Sequence, residues 1–157
     1  MYQASPNRET SSCNDRTRVL FLCTGNSCRS QMAEGLCRRF LSDTIDPSSA
    51  GIESHGLDPL AVKAMGEIDI DISNHQSKTT LNLGNREFDY VITLCNEAEK
   101  TCPFFPARTK VIHRGFDDPP KLAEGATNEE EALRHYRRVR DEIKDYILDL
   151  TNILSQG

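Results

Sequence analysis

The chain has 157 residues, and 19 basic against 24 acidic side chains leave a formal charge of −5. That length suits one domain with a single core, and the acidic balance excludes general nucleic-acid binding, so any bound anion must be caught by a local site. No run approaches the roughly 18 apolar residues of a membrane span, and residues 1–17 lack the apolar core of a secretory signal. Six cysteines without such a signal point to a reducing, cytoplasmic setting and to redox or catalytic use.

Residues 1–17 are polar and are expected to form a disordered tail in which Cys13 is incidental; residues 18–157 form the domain. Val19 to Leu22 reads as a short strand buried on both faces, because its apolar residues do not alternate with polar ones. Gly25, Asn26 and Ser27 make a tight loop, since Gly and Asn tolerate positive φ. From Ser30 onward Met32, Ala33, Leu36, Cys37 and Phe40 recur at helical spacing, with Cys37 as a small core residue.

Ser48 to Ile52 is short and small-residued, and it could be a strand end. Asp58-Pro59 opens a helix through Met65. Ile68, Ile70 and Ile72 alternate with acids, which by periodicity alone suggests a strand. A short helix follows over 77–83.

Phe88 to Leu94 is the clearest strand after the first and delivers Cys95 at its carboxyl end. Lys110 to His113 is a further strand, followed by a loop through Asp117, Asp118 and Pro119. A long helix runs from a Thr127–Glu130 capping box to Leu154. The pattern predicts an α/β domain with a parallel sheet flanked by helices, whose ligands sit at the carboxyl ends of the strands.

The strand-loop-helix at Cys23 is a cradle for a tetrahedral oxyanion. Backbone N–H groups from Thr24 to Ser30 and the helix N-terminus converge on one point. Arg29 brings a planar fork that matches two oxygens. The same field favours a thiolate at Cys23, with Ser30 placed to donate to the sulfur. Cys28 packs inside the loop. A carboxyl group on the later loop, Asp118 or its neighbour Asp117, is a candidate general acid.

Cys95 and Cys102 supply what a phosphatase does not need: two further thiols able to hold electrons. Their six-residue separation is wider than that of a structural zinc pair, and no second pair completes four ligands, so no metal is expected. His75 and His113 are isolated in sequence and read as structural.

The stretch from Cys23 to Gly35 (CTGNSCRSQMAEG), with Thr93-Leu94-Cys95 and Cys102-Pro103, resembles thioredoxin-coupled arsenate reductases of the low-molecular-weight tyrosine phosphatase fold. The resemblance covers nearly everything from Val19 to Leu150. It promotes Ser48–Ile52 to the second strand of a four-stranded parallel sheet and turns the isoleucine run into a loop after a helix. It places the acid immediately before proline, which selects Asp118, and it implies arsenate as substrate, with phosphate and sulfate as mimics.

The implied chemistry is a relay from Cys23 to Cys95 to Cys102, reduced by thioredoxin without a bound cofactor, in a monomer. Some members carry a potassium site whose ligands match Asn26, Glu34 and Ser49, but Lys78 stands where an aspartate is expected. The Lys78 ammonium is expected to replace the ion, without potassium dependence. Two alternatives stand beside this reading. One is a tyrosine phosphatase, although Pro120 and Lys121 follow where aromatic residues usually line its cleft. The other is a redox sensor that switches through Cys95 and Cys102.

Overall fold

In the computed structural model the described residues are 16–94, 105–106 and 108–156; Cys13, Cys95 and Cys102 lie outside them. Four parallel strands form one sheet: β1 (Thr17–Cys23), β2 (Ile45–Gly51), β3 (Tyr90–Thr93) and β4 (Lys110–His113), in the order β2-β1-β3-β4. The helices are α1 (Arg29–Leu41), α2 (Pro59–Gly66), a one-turn α3 (Pro119–Leu122), α4 (Glu129–Leu148) and α5 (Leu150–Ser155). Short 3-10 turns occupy Thr80–Leu83 and Ala123–Gly125.

β1 is the spine because it is paired along both edges and both its faces are apolar. Val19 and Phe21 point into a core shared with Met32, Leu36, Val139 and Ile143, whereas Leu20 and Leu22 pack with Leu83, Phe88 and Val91. Val19 to Leu22 are all 0% exposed, which is why a continuous apolar run, and not an alternating one, encodes this strand. α4 closes the first core by packing on α1 and α2.

Several elements differ from the expectation. β1 takes in Thr17, and β2 begins three residues before Ser48. β2 contains Pro47, which lacks an N–H, and it is tolerated because β2 is an edge strand of the sheet, with β1 as its one partner strand. The segment read as a short helix over 77–83 is a 3-10 turn confined to Thr80–Leu83.

Ile68, Ile70 and Ile72 form no strand. Asp69 adopts φ +65, and N–H groups of Ile70 and Asp69 return to the carbonyls of Met65 and Gly66, 3.0 Å each. That left-handed stop after α2 turns Ile70 and Ile72 inward as buried anchors. At the last helix the cap is Asn128, whose Oδ1 accepts from Glu131 N–H at 2.8 Å; Thr127 instead donates to the Glu131 carboxylate. The predicted single helix breaks at Asp149 into α4 and α5.

Candidate active site

The site lies where the carboxyl ends of β1 and β3 meet the start of α1. Leu94, leaving β3, donates its N–H to Leu22 O and accepts from Phe116 N–H, 2.9 Å each. Three segments, ending at Cys23, Leu94 and the Phe116–Asp118 loop, therefore share one rim.

The loop from Cys23 to Ser30 is shaped by bonds on its outer side. The carbonyls of Cys23, Thr24, Gly25 and Ser27 accept N–H groups from Ile52, Glu53, His55 and Asp58 at 2.9–3.1 Å. Because peptide units are planar, carbonyls turned outward leave the loop's N–H groups facing the other way. Gly25 lets the His55 side chain come close: a Cβ there would lie 2.4 Å from His55 Nδ1 unless the imidazole moved. Asn26 is wholly buried at φ +48, a conformation held by its own side chain, whose Oδ1 accepts from Lys78 N–H at 2.8 Å.

Cys23 Sγ lies 2.9 Å from Ser30 Oγ, and Asn26 Nδ2 donates to the same hydroxyl oxygen at 2.8 Å. That second bond leaves the Ser30 proton free to point at sulfur. Cys23 is 3% exposed, at the mouth of the loop that α1 continues. Cys28 is also buried, and burial, reinforced by the Asp58 carboxylate, pushes its thiol well above the ordinary value. Cys37 sits within the core, where burial raises its thiol to about 12. No disulfide joins these three cysteines.

Arg29 is the first residue of α1. Its Nη1 donates to Phe116 O at 2.9 Å, and Nη2 lies 3.5 Å from Asp118 Oδ1. Asp117 points elsewhere and pairs with Arg138 at 3.0 Å. Of the two adjacent carboxylates, Asp118 is thus the one that faces the anion loop.

Two further residues join this region without having been singled out from sequence. Asp58 caps α2 through Leu60 N–H (3.0 Å) and accepts the Tyr136 hydroxyl at 2.7 Å. It thereby ties the loop to α2 and α4; burial and this carboxylate both raise the Tyr136 phenol. Gln31 is wholly buried and bonds to Asn26, Gln76 and His75. The two histidines read as structural each have a side-chain partner: His113 meets Thr93 Oγ1 at 2.6 Å, and His75 meets Gln31 Oε1 at 2.9 Å.

The residues matched to a potassium site do not fit an ion. Glu34 Oε1 accepts from Ser49 Oγ at 2.6 Å, and Oε2 is held by Arg38 at 2.5 Å. Asn26 Oδ1 already accepts two N–H groups. The Lys78 ammonium, expected beside these oxygens, lies instead 3.4 Å from Gln76 O, so the cation that meets Glu34 is Arg38. Among the described residues no group of three His, Cys, Asp or Glu is arranged to hold a metal, and no helix is long and apolar enough to cross a membrane.

An oxyanion loop carrying a cysteine, with an arginine at its exit and an aspartate facing it, defines a class of enzyme that attacks tetrahedral oxyanions through sulfur. Residues 18–156 match the model for the low molecular weight phosphotyrosine protein phosphatase family, and the chain belongs to that family. Its similarity runs to the arsenate reductases within it. The chain is 54% identical over 125 residues to an arsenate reductase of Halalkalibacterium halodurans, covering 80% of this chain and 88% of the relative. A solved structure of an arsenate reductase in the phosphate binding state superposes with a TM-score of 0.67 at 31% identity, covering 85% of this chain and 95% of the other. A Corynebacterium glutamicum thioredoxin-dependent arsenate reductase superposes at 0.58 with 25% identity, covering 89% and 66%.

Proposed function

We propose that this protein reduces arsenate to arsenite through Cys23 and a three-cysteine relay regenerated by thioredoxin. The observation that carries the reading is the Cys23–Ser30 contact of 2.9 Å inside an amide-lined loop, with Arg29 between that loop and Asp118. A thiolate there accepts a hydroxyl proton in a hydrogen bond and faces the same N–H groups that bind an oxyanion.

In this mechanism arsenate is held by the amides from Thr24 to Ser30 and by the Arg29 fork, in the place that phosphate or sulfate would also take. Cys23 sulfur attacks arsenic, and Asp118 protonates the departing oxygen, which leaves as water. Cys95 thiolate then attacks the Cys23 sulfur. The arsenic–sulfur bond breaks with its electron pair going to arsenic, which leaves as arsenite, and a Cys23–Cys95 disulfide remains. Cys102 thiolate attacks Cys95, releasing Cys23 thiolate and moving the disulfide to Cys95–Cys102. Thioredoxin dithiol reduces that bond and becomes a disulfide itself, so two electrons enter for each arsenate reduced. No cofactor is held, and the enzyme works as a monomer in the cytoplasm.

Support for the relay comes from the rim. Leu94, immediately before Cys95, is bonded to the backbone of Leu22, immediately before Cys23. Support for thioredoxin comes from the Corynebacterium relative that is described as dependent on it. The test is a coupled assay with thioredoxin, thioredoxin reductase and NADPH beside one with a glutaredoxin system. Continuous arsenite production is expected only in the first; turnover with glutaredoxin alone would reassign the reductant, and turnover with neither would remove the relay.

A further inference from the structure

Asp58 stands directly behind the anion loop, where its backbone N–H donates to Ser27 O at 3.0 Å. That carbonyl belongs to the peptide joining Ser27 to Cys28, and in a planar trans peptide the N–H points away from the carbonyl. The Cys28 N–H therefore faces the cradle from one side of this peptide, while Asp58 holds the other. The side chain is fixed as firmly as the backbone. Oδ1 accepts from Leu60 N–H at 3.0 Å, and Oδ2 accepts from the Tyr136 hydroxyl at 2.7 Å. Tyr136 is 3% exposed within the core, so the carboxylate is anchored to α4 as well as to α2.

Capping α2 needs no charge. Asn and Ser cap helices about as well as Asp, because each accepts the same backbone N–H. What Asp58 adds is a negative charge beside a site built for anions. Its reach into the loop registers at Cys28: burial raises that thiol most, then the Asp58 carboxylate, ahead of Cys23 and Asp118, with Arg29 opposing. A doubly charged oxyanion beside the Cys23 thiolate already outweighs the Arg29 guanidinium, and the Asp58 charge adds to the excess. A singly charged oxyanion meets half of that repulsion.

We propose that Asp58 is a specificity-determining residue: its carboxylate, locked behind the Ser27–Cys28 peptide by Tyr136, lowers the cradle's affinity for doubly charged tetrahedral oxyanions relative to singly charged ones. The loop amides and Arg29 supply the attraction common to all such anions, and Asp58 subtracts from it in proportion to the charge bound. The form retained is the one a thiolate approaches with least repulsion. Sulfate, which has no singly charged form at neutral pH, is placed at a disadvantage against singly charged arsenate.

The proposal rests on reading this loop as the arsenate site, but its test uses neither arsenate nor turnover. Tungstate and perrhenate are tetrahedral oxyanions of nearly equal size, the first doubly and the second singly charged. Each is titrated calorimetrically at neutral pH into the full chain carrying Cys23→Ser, which removes the thiolate. Adding Asp58→Asn is expected to tighten tungstate by about 3–10-fold and perrhenate by about the square root of that factor. Asp58→Ser, a second uncharged cap, should do the same. A purely structural role for Asp58 would weaken both anions together. No tightening of tungstate in these variants, or equal factors for the two anions, overturns the proposal. If Asp58→Asn does not fold, Asp58→Ser decides by the same criterion. A Cys23→Ser chain that binds neither anion would overturn the reading of the loop itself, and this proposal with it.

Discussion

Arg29 bridges the anion loop and the aspartate loop, with Nη1 on Phe116 O at 2.9 Å and Nη2 3.5 Å from Asp118 Oδ1. The bond to a carbonyl fixes the guanidinium plane, and the looser approach to the carboxylate leaves Asp118 able to turn toward a leaving oxygen. Asp118→Asn is therefore expected to slow arsenite formation by about 10²–10⁴. Asp117→Asn should change it little, because Asp117 pairs with Arg138. Steady-state rates of the two variants decide; a larger loss at Asp117 would reverse the assignment. Arg29→Lys should also fail badly, since an ammonium cannot replace the fork.

The relay predicts different endpoints for two cysteine variants. Cys23→Ser should lose arsenate reduction and any side phosphatase activity together, because both need one thiolate. Cys102→Ser should release about one arsenite per chain and stop with Cys23 joined to Cys95. Peptide mapping of alkylated protein after a single turnover reads the bond. Continuous turnover of Cys102→Ser at the parent rate would take Cys102 out of the mechanism.

Two glycines beside the site should respond differently to alanine. At Gly51 a Cβ would meet Glu53 O at 2.4 Å, Asn26 N at 2.7 Å and Thr24 O at 2.8 Å, all backbone. At Gly25 it meets the imidazole of His55, whose side chain is half exposed. Gly51→Ala should cost about 1–3 kcal/mol or more, as overpacking against an unyielding wall does. Gly25→Ala should cost less, with His55 swung aside. Urea unfolding of both variants measures the difference, and equal losses would mean that His55 is as fixed as the backbone.

Burial pulls the His75 imidazole below its ordinary value; Arg38 and Lys78 add to the fall, while Glu34 and Asp71 oppose it. Between the lowered folded value and about 6.5 the unfolded chain binds more protons than the native one, so stability rises with pH through that window. The contribution is whole above about pH 6.5 and is lost on acidification. The urea midpoint should fall between about pH 7.5 and about pH 5.5, and His75→Asn, which has no proton to gain there, should fall by less. Identical falls would show that His75 does not contribute.

Potassium should leave the rate unchanged. Arg38 and Ser49 occupy both oxygens of Glu34, and an ion would have to displace them. Activity in potassium chloride and in sodium chloride at equal ionic strength tests this; a selective gain with potassium would show that the Arg38 contact yields.

What the sequence made legible is what local chemistry encodes. The apolar run of β1, the Gly-Asn loop and the helical stripe of α1 are consecutive, so residues 19–41 announce both the strand-loop-helix and the cysteine within it. β2 was nearly silent, because Ile45 to Gly51 holds a proline and small residues whose place depends on pairing with β1. The isoleucine alternation points by itself to a pleat, and the resemblance rightly overrules it: burial at Ile70 and Ile72 comes from a helix stop at Asp69. The His75–Gln31 contact spans 44 positions and had no local signature at all. Nor had the turning of Asp117 toward α4, which only the fold reveals.

β1 lies between β2 and β3 with Val19 to Leu22 wholly buried. The amides of that strand belong to the part of a fold that exchanges with solvent last, close to the free energy of global unfolding. Fraying of α5 leaves Cys23 where it is, but breathing of the edge strand β2 loosens Ile52 and Glu53, whose N–H groups hold the Cys23 and Thr24 carbonyls. The thiol's access to oxidants is therefore tied to the β2 edge and not to the last helix.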